Sequence, residues 1–239
     1  MTLLQTEAIA MQYANKRALE SIDMTITSGK IIGLLGPNGS GKTTLMKIIA
    51  GLLQPSSGKI HYPGNAQKGV DSKRTISFMP DELKFPGYMT VKDTFVFSED
   101  MYADYCASTA ANLQQLLDIN DMSAKIKNLS KGERERISLA LTFSRKAKLY
   151  LLDEPLGGID PIGKKKIIDA ILSIQLDDAS IIVSTHLVKD IERIFDQVFF
   201  ISEGKIAFSG DCDEIREEGG ITVEQKYLDV FSNSIERGV

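Results

Sequence analysis

The chain has 239 residues, with 28 Lys+Arg against 32 Asp+Glu for a formal net charge of −4, and 43% of its residues are hydrophobic. Together with a mean hydropathy of −0.07 this excludes a disordered chain, and the length suits one α/β core with insertions. No apolar run reaches the ~18 residues of a membrane span, the opening MTLLQTEAIAMQ lacks the layout of a signal peptide, and the acidic balance leaves no footprint for nucleic acid, so a soluble, cytosolic chain is expected.

In chain order, the largely apolar Ala8 to Tyr13 and the alternating apolar and polar residues of Ile22 to Ile26 predict strands of a half-buried sheet. Ile31-Ile-Gly-Leu-Leu35 follows as a short apolar run, then a glycine-rich stretch, then Leu45, Ile48, Ile49 and Leu52 at helical spacing. A second β stretch is predicted through Gly58–Tyr62 and Thr75–Met79. From Val91 to Lys148 the pattern turns helical, with Leu113, Leu116, Leu117, Ile137 and Leu141 at steps of three and four, and this reads as a helical insertion. Strands return at Leu149–Leu152, Ser180–Ser184 and Gln197–Ile201, separated by helices near Gly163–Gln175 and Val188–Phe195. Such alternation implies a parallel sheet wrapped by crossovers. The tail from Asp211 reads as an appendage, with Thr222 and Gln225 as a capping box for a last helix. The two cysteines, Cys106 and Cys212, lack CxxC spacing and suggest neither a disulfide framework nor a zinc site.

Three short stretches carry chemistry. Gly36-Pro37-Asn38-Gly39-Ser40-Gly41-Lys42-Thr43, followed by Thr44, fits GxxxxGK[ST] between a predicted strand and a helix, the context of a P-loop. Its backbone N–H groups and the helix N-terminus receive phosphate oxygens, Lys42 reaches the β and γ phosphates, and Thr43 is a Mg2+ ligand. Four apolar residues then end in Asp153-Glu154, which places two carboxylates at the ligand-binding edge of a buried strand. Asp153 suits the Mg2+ and Glu154 the base that deprotonates an attacking water; a solvated acid pair is the plain alternative. Finally, Ser130 and Glu133 fit a capping box, S-x-x-E, while the free N–H groups after Ser130, with Gly132 allowing close approach, suit a phosphate; the two roles are compatible. Lys164-Lys165-Lys166 lies beside Ile167, Ile168 and Ile171 and reads as a solvated helix face rather than a nucleic-acid contact.

Over nearly its whole length the chain resembles the nucleotide-binding subunit of ATP-binding cassette (ABC) transporters. The resemblance implies a P-loop NTPase fold: a parallel-sheet core, an N-terminal antiparallel β subdomain and an inserted α-helical subdomain. As one ABC ATPase domain, 1–80 and 149–210 form the β subdomain and core, 81–148 the helical insertion, and 211–239 a helical appendage. By the same resemblance Leu129-Ser130-Lys131-Gly132-Glu133 is the signature motif that clamps the ATP of an opposite subunit. Asp160 falls in the D-loop, and His186 is the switch histidine at the γ phosphate. Tyr13 matches the aromatic that stacks on adenine, although a lone tyrosine there fits a core edge equally well. Two positions depart from the family pattern. Lys131 and Glu133 replace the third and fifth residues of LSGGQ, and Asp81 stands at the Q-loop where many relatives carry glutamine. Asp81 either binds Mg2+ or its waters or is a plain loop acid. ATP and Mg2+, a second ABC subunit and an integral membrane permease are thereby implied, with the chain peripheral on the inner face of the membrane. Segments such as LLDEPLGGIDP look most like exporter subunits for peptides, drugs or lipids. A soluble ABC ATPase, as in iron–sulfur cluster assembly, and a low-turnover regulatory subunit are the alternatives.

Overall fold

Ile31–Leu35 and Leu149–Asp153 are uninterrupted apolar runs up to Asp153, which is what a strand buried on both faces requires. In the computed structural model, which describes residues 1–62 and 75–236, they form β3 and β6 of a six-stranded sheet. The strands are β1 (Thr2–Tyr13), β2 (Lys16–Thr27), β3, β4 (Ser57–His61), β5 (Ile76–Met79), β6, β7 (Ser180–Thr185), β8 (Gln197–Ser202) and β9 (Lys205–Asp211). The large sheet has the order β5-β6-β7-β3-β8-β9, parallel except for the antiparallel edge strand β9, and a second sheet runs β2-β1-β4 antiparallel. The segments expected at 1–80 and 211–239 take in residues 63–74 and 237–239, which lie outside the described residues.

The helices are α1 (Lys42–Ile49), α2 (Val91–Met101), α3 (Ala107–Leu116), α4 (Lys131–Phe143), α5 (Pro161–Leu172), α6 (Val188–Ile191), α7 (Cys212–Gly219) and α8 (Val223–Glu236). Helices α2, α3 and α4 form the helical insertion. It is pinned at its end by Arg145, whose guanidinium donates to both carboxylate oxygens of Asp104 at 3.1 Å and to the Ile76 carbonyl at 2.9 Å. Two apolar clusters sandwich the large sheet: one face packs Leu34, Leu45, Ile49, Leu151 and Ile182 with the antiparallel sheet, the other packs Leu35, Leu152, Ile181 and Phe200 with the insertion and the tail. Alternate residues of β3 and β6 therefore serve opposite faces, as the pleat demands.

Two sequence expectations change. The β stretch at 58–62 and 75–79 is not one unit: β4 completes the antiparallel sheet and β5 begins the large one. The stretch before Asp211 is also a strand, β9, whose Phe208 turns onto Phe200 at 5.0 Å between ring centroids. Its half-exposed alternation gives a weaker signal than the buried parallel strands. The capping box ahead of α8 forms as expected, Gln225 N donating to Thr222 Oγ1 at 3.1 Å and Thr222 N to Gln225 Oε1 at 2.9 Å. Cys212 is buried and Cys106 half-buried, both as free thiols.

Candidate functional site

The ends of β3, β6 and β7 lie side by side, with Leu35 opposite Thr185 and Asp153 opposite Ser184. This register alone brings the P-loop, the acid pair and the histidine segment to one edge of the sheet. Between β3 and α1 the loop turns tightly. At Gly36 a Cβ would stand 2.3 Å from the Ile201 carbonyl oxygen, and Gly41, at φ 113°, would push one to 2.7 Å from the Ala18 carbonyl oxygen. Only glycine fits either place. Gly41 caps α1 without a side-chain hydrogen bond, and the first turn carries no acidic residue. The leading N–H groups of α1 are therefore left for an anion, with the helix dipole behind them.

Lys42 is buried, and its Nζ donates to the carbonyls of Gly36 at 2.8 Å and Pro37 at 3.2 Å. It also pairs with Glu154 Oε1 at 3.2 Å. The other oxygen of Glu154 meets His186 Nδ1 at 3.0 Å, so one carboxylate joins the P-loop lysine to the histidine. Glu154 is held there at φ 51°, a backbone region that costs an L-residue about 1 kcal/mol, and its N–H is fixed by the Ser184 carbonyl at 3.0 Å. Strain of this kind concentrates where a side chain must be aimed.

Asp153 is 1% exposed. Its Oδ1 accepts from Ser184 Oγ at 2.5 Å and from Thr43 Oγ1 at 3.2 Å, while its Oδ2 is buried with no partner. Burial pushes its carboxyl above the usual range, the bonds from Ser184 and Thr43 pull it back, and the charges of Asp81 and Glu154 push it up again. An unpartnered carboxylate oxygen beside a threonine hydroxyl fits Mg2+, which takes few protein ligands and completes its shell with water and phosphate. Ser184 is the residue that sequence reasoning missed. Its only local signal was a hydroxyl directly after the apolar run Ile181-Ile-Val183 of a fully buried strand.

Tyr13, half exposed, lines a cleft of about 300 Å³ with Asn38, Gly39, Lys42, Thr43, Thr44, Asp81 and Glu154. Asp81 also faces Thr43 and Asp153 in an adjoining cleft of about 580 Å³ that runs toward Lys47 and Arg145. Pro37 and Asn38 are exposed on the loop, while Ser40 is buried and its main-chain oxygen accepts from Gly204 N at 2.9 Å.

The segment Leu129–Glu133 is arranged differently. Ser130 caps α4: its Oγ donates to Glu133 Oε2 at 2.6 Å and accepts from Glu133 N at 3.3 Å, and Ser130 N donates to Glu133 Oε2 at 2.8 Å. These bonds hold the Glu133 carboxyl below its usual range. Leu129 is buried, Ser130 and Lys131 are exposed, and Gly132 is half-buried. The Lys131 Nζ lies against the Gly157-Gly158 turn, 3.3 Å from where a Cβ on Gly158 would stand. Among the described residues no hydrogen bond or ion pair joins Leu129–Glu133 to the P-loop, Asp153, Glu154 or His186. Farther along α4, Glu135 is buried with Oε2 unpartnered, and burial, with the Asp81 charge adding to it against Lys131, pushes it up to about 8. Asp160 caps α5, accepting from Ile162 N and Gly163 N at 3.0 Å each, bonds that lower its carboxyl. Of the lysine run, Lys164 pairs with Asp190 and Lys166 with Asp118.

The profile of the family described as "ABC transporter" matches residues 19–157. The uncharacterized ABC transporter ATP-binding protein YxlF of Bacillus subtilis is 28% identical over 98% of this chain and 77% of its own length. The lantibiotic transport ATP-binding protein SrtF of Streptococcus pyogenes is 28% identical over 88% of this chain and 92% of its own. Among solved structures, an ATP binding subunit of an ABC transporter superposes with a TM-score of 0.84 at 23% identity, covering 96% of this chain and 99% of that one. The dimeric bacterial ABC transporter cassette MJ0796 gives 0.77 at 18% identity over 87% and 98%. At such identities the structural likeness establishes the fold. With more than half its length matched by the family profile, the chain belongs to the ABC transporter family as one of its ATP-binding ATPase subunits.

Proposed function

We propose that this ATPase powers export through a separate integral membrane permease, closing on ATP as a dimer with a second ABC subunit and opening after hydrolysis. The observation that carries this reading is the unequal state of its two phosphate-facing parts. Lys42, Glu154 and His186 are already linked in one chain, while the N-terminus of α4 is exposed and bonded only to itself. A site finished by another copy would look like this. In the proposal residues 1–239 act as one ABC ATPase domain, with 1–80 and 149–210 as core and β subdomain, 81–148 as helical insertion and 211–239 as appendage.

ATP lies on Gly36–Thr44 with its adenine against Tyr13. Thr43 and Asp153 would hold Mg2+, which would offset the charge of the phosphates when bound. Glu154 takes the proton of the attacking water, His186 steadies the γ phosphate, and Ser130 with Gly132 donates to it from the opposite subunit. Lys131 adds a positive charge at that helix start, and Asp160 orders the turn that leads into α5. Among the described residues no helix is long and apolar enough to cross a membrane; in the proposal the permease supplies the span and the chain sits on its inner, cytoplasmic face. Export as the direction rests on the likeness to the lantibiotic transport protein.

A native pull-down from gently solubilised membranes and from cytosol tests this. Recovery with a polytopic membrane protein is expected; recovery only with cytosolic partners, such as cluster-assembly proteins, overturns the transport role and keeps the ATPase. One observation favours a second reading, a low-turnover regulatory subunit: the Asp81 carboxylate stands where it raises the Asp153 pKa, and it opposes phosphate charge unless a cation intervenes. Phosphate release that stays very low with the partner present would favour it.

A further inference from the structure

The C-terminal helices take no direct part in the phosphate site, yet they hold the segment that carries His186. From His186 the chain passes through Leu187 straight into α6, a single turn of four residues. A turn that short is not stable by itself and takes its position from what surrounds it. On one flank Lys164 of α5 pairs with Asp190 at 2.6 Å. On the other, Glu192 directly after α6 receives a hydrogen bond from each tail helix. Its Oε2 accepts the main-chain N–H of Glu224, in the first turn of α8, at 2.8 Å, and its carbonyl oxygen accepts from Arg216 Nη2 of α7 at 2.9 Å. Arg216 is steadied in turn by Asp213 at 3.0 Å.

The Glu224 bond is more than a surface contact. First-turn N–H groups have no acceptor within their own helix, and an outside carboxylate satisfies one of them while facing the positive end of the dipole. Beneath it Val223 is fully buried in the cluster that holds Val188 and Ile191 of α6. Farther along α8, Tyr227 and Phe231 pack on Phe200 at centroid distances of 5.5 and 6.3 Å. Apolar packing thus docks α8, and Glu192 converts that docking into a fixed position for α6 and the histidine before it.

We propose that α7 and α8 latch the His186 segment in register with Glu154, and that Glu192 is the positioning residue through which the latch acts. The proposal rests on the ATPase reading. A shift of about 1 Å in a reacting group can cost about a hundredfold in rate, so loosening one turn beside His186 has its effect on turnover rather than on nucleotide capture.

The test is steady-state ATP hydrolysis by the full chain, wild type against Glu192→Ala, Glu192→Gln and Arg216→Ala, with nucleotide binding and melting temperature measured alongside. Glu192→Ala is expected to lower kcat about tenfold with KM changed less than about twofold. Glu192→Gln keeps an oxygen to accept the Glu224 N–H and is expected to recover most of the rate, while Arg216→Ala loses about twofold to threefold. Wild-type kcat in Glu192→Ala, equal losses in the alanine and glutamine variants, or a loss confined to KM overturns the latch. If Glu192→Ala does not fold, Arg216→Ala decides, and unchanged kcat there overturns it. A wild-type chain without turnover overturns the ATPase reading and the latch with it, whereas an active wild type beside an unaffected Glu192→Ala overturns the latch alone.

Discussion

The sheet edge and the start of α4 both face phosphate in the proposed mechanism, and they are built in opposite ways. At the sheet edge Lys42 and Asp153 are buried and Glu154 is largely so, each cross-braced by groups from other strands. At the start of α4 the donors of Ser130 are exposed and satisfied by Glu133, three residues along the same helix. Long-range packing positions the first region, and a local capping box the second. The difference teaches that the chemistry-bearing half is preorganised at a cost in desolvation and backbone strain, while the half proposed to meet a partner is cheap and solvated in the single chain.

Breaking the preorganised half has the largest expected effect. Glu154→Gln removes the base but keeps the shape, so hydrolysis should fall by about 10² to 10⁴ while ATP still binds, and light scattering should show an ATP-dependent dimer. Hydrolysis at the wild-type rate would mean that Glu154 is not the base. The comparison itself is sharpened by Ser130→Ala, expected to lose most ATPase activity while nucleotide binding to the monomer stays unchanged. Mixing it in equal amounts with Glu154→Gln should restore about a quarter of wild-type activity, because half of the dimers would be mixed and each would contain one intact site of two. No recovery would mean that the two regions act within one chain, or that the natural partner is a different subunit.

Smaller effects probe the bracing. Ser184→Ala removes the 2.5 Å bond to Asp153 and should cut kcat about tenfold with little change in melting temperature; an unchanged kcat would reduce Ser184 to a packing residue. The smallest is a pH effect at Glu135. Its pKa is raised by burial to about 8 from 4.5, so between those values the folded state holds a proton that the unfolded state has released. Stability therefore falls as pH rises through that window, and the cost is fully present above pH 8. Glu135→Gln should flatten the melting-temperature profile over this range and stabilise the chain at pH 8.5 by on the order of 1 kcal/mol, a few degrees. Parallel profiles would show that the Glu135 carboxyl titrates normally.

Much of the candidate site was legible because its elements are local. Strand, glycine loop, lysine and hydroxyl fall within Ile31–Thr43, and the buried run ending in Asp153-Glu154 carries its own pattern. The capping boxes at Ser130 and Thr222 were legible for the same reason, since a cap is a contact three residues long. What escaped was non-local. Ser184 bonds to a residue 31 positions away, and nothing in the segment SIIVST shows which neighbour β7 will take. The split of β4 from β5 and the edge strand β9 escaped likewise, because pairing partners and sheet edges are properties of the assembled sheet.

By itself, then, the sequence determined most of the element types, the glycine-rich candidate phosphate loop and the acid pair, because each depends on periodicity, conformational freedom or charge within a few residues. Tertiary structure alone decided that Glu154 would join Lys42 to His186, that Asp153 would keep one oxygen unpartnered, and that the tail would hold the turn after the histidine. Those are consequences of strand order and register, which bring together residues far apart in the chain only once the apolar faces of the sheet have been buried.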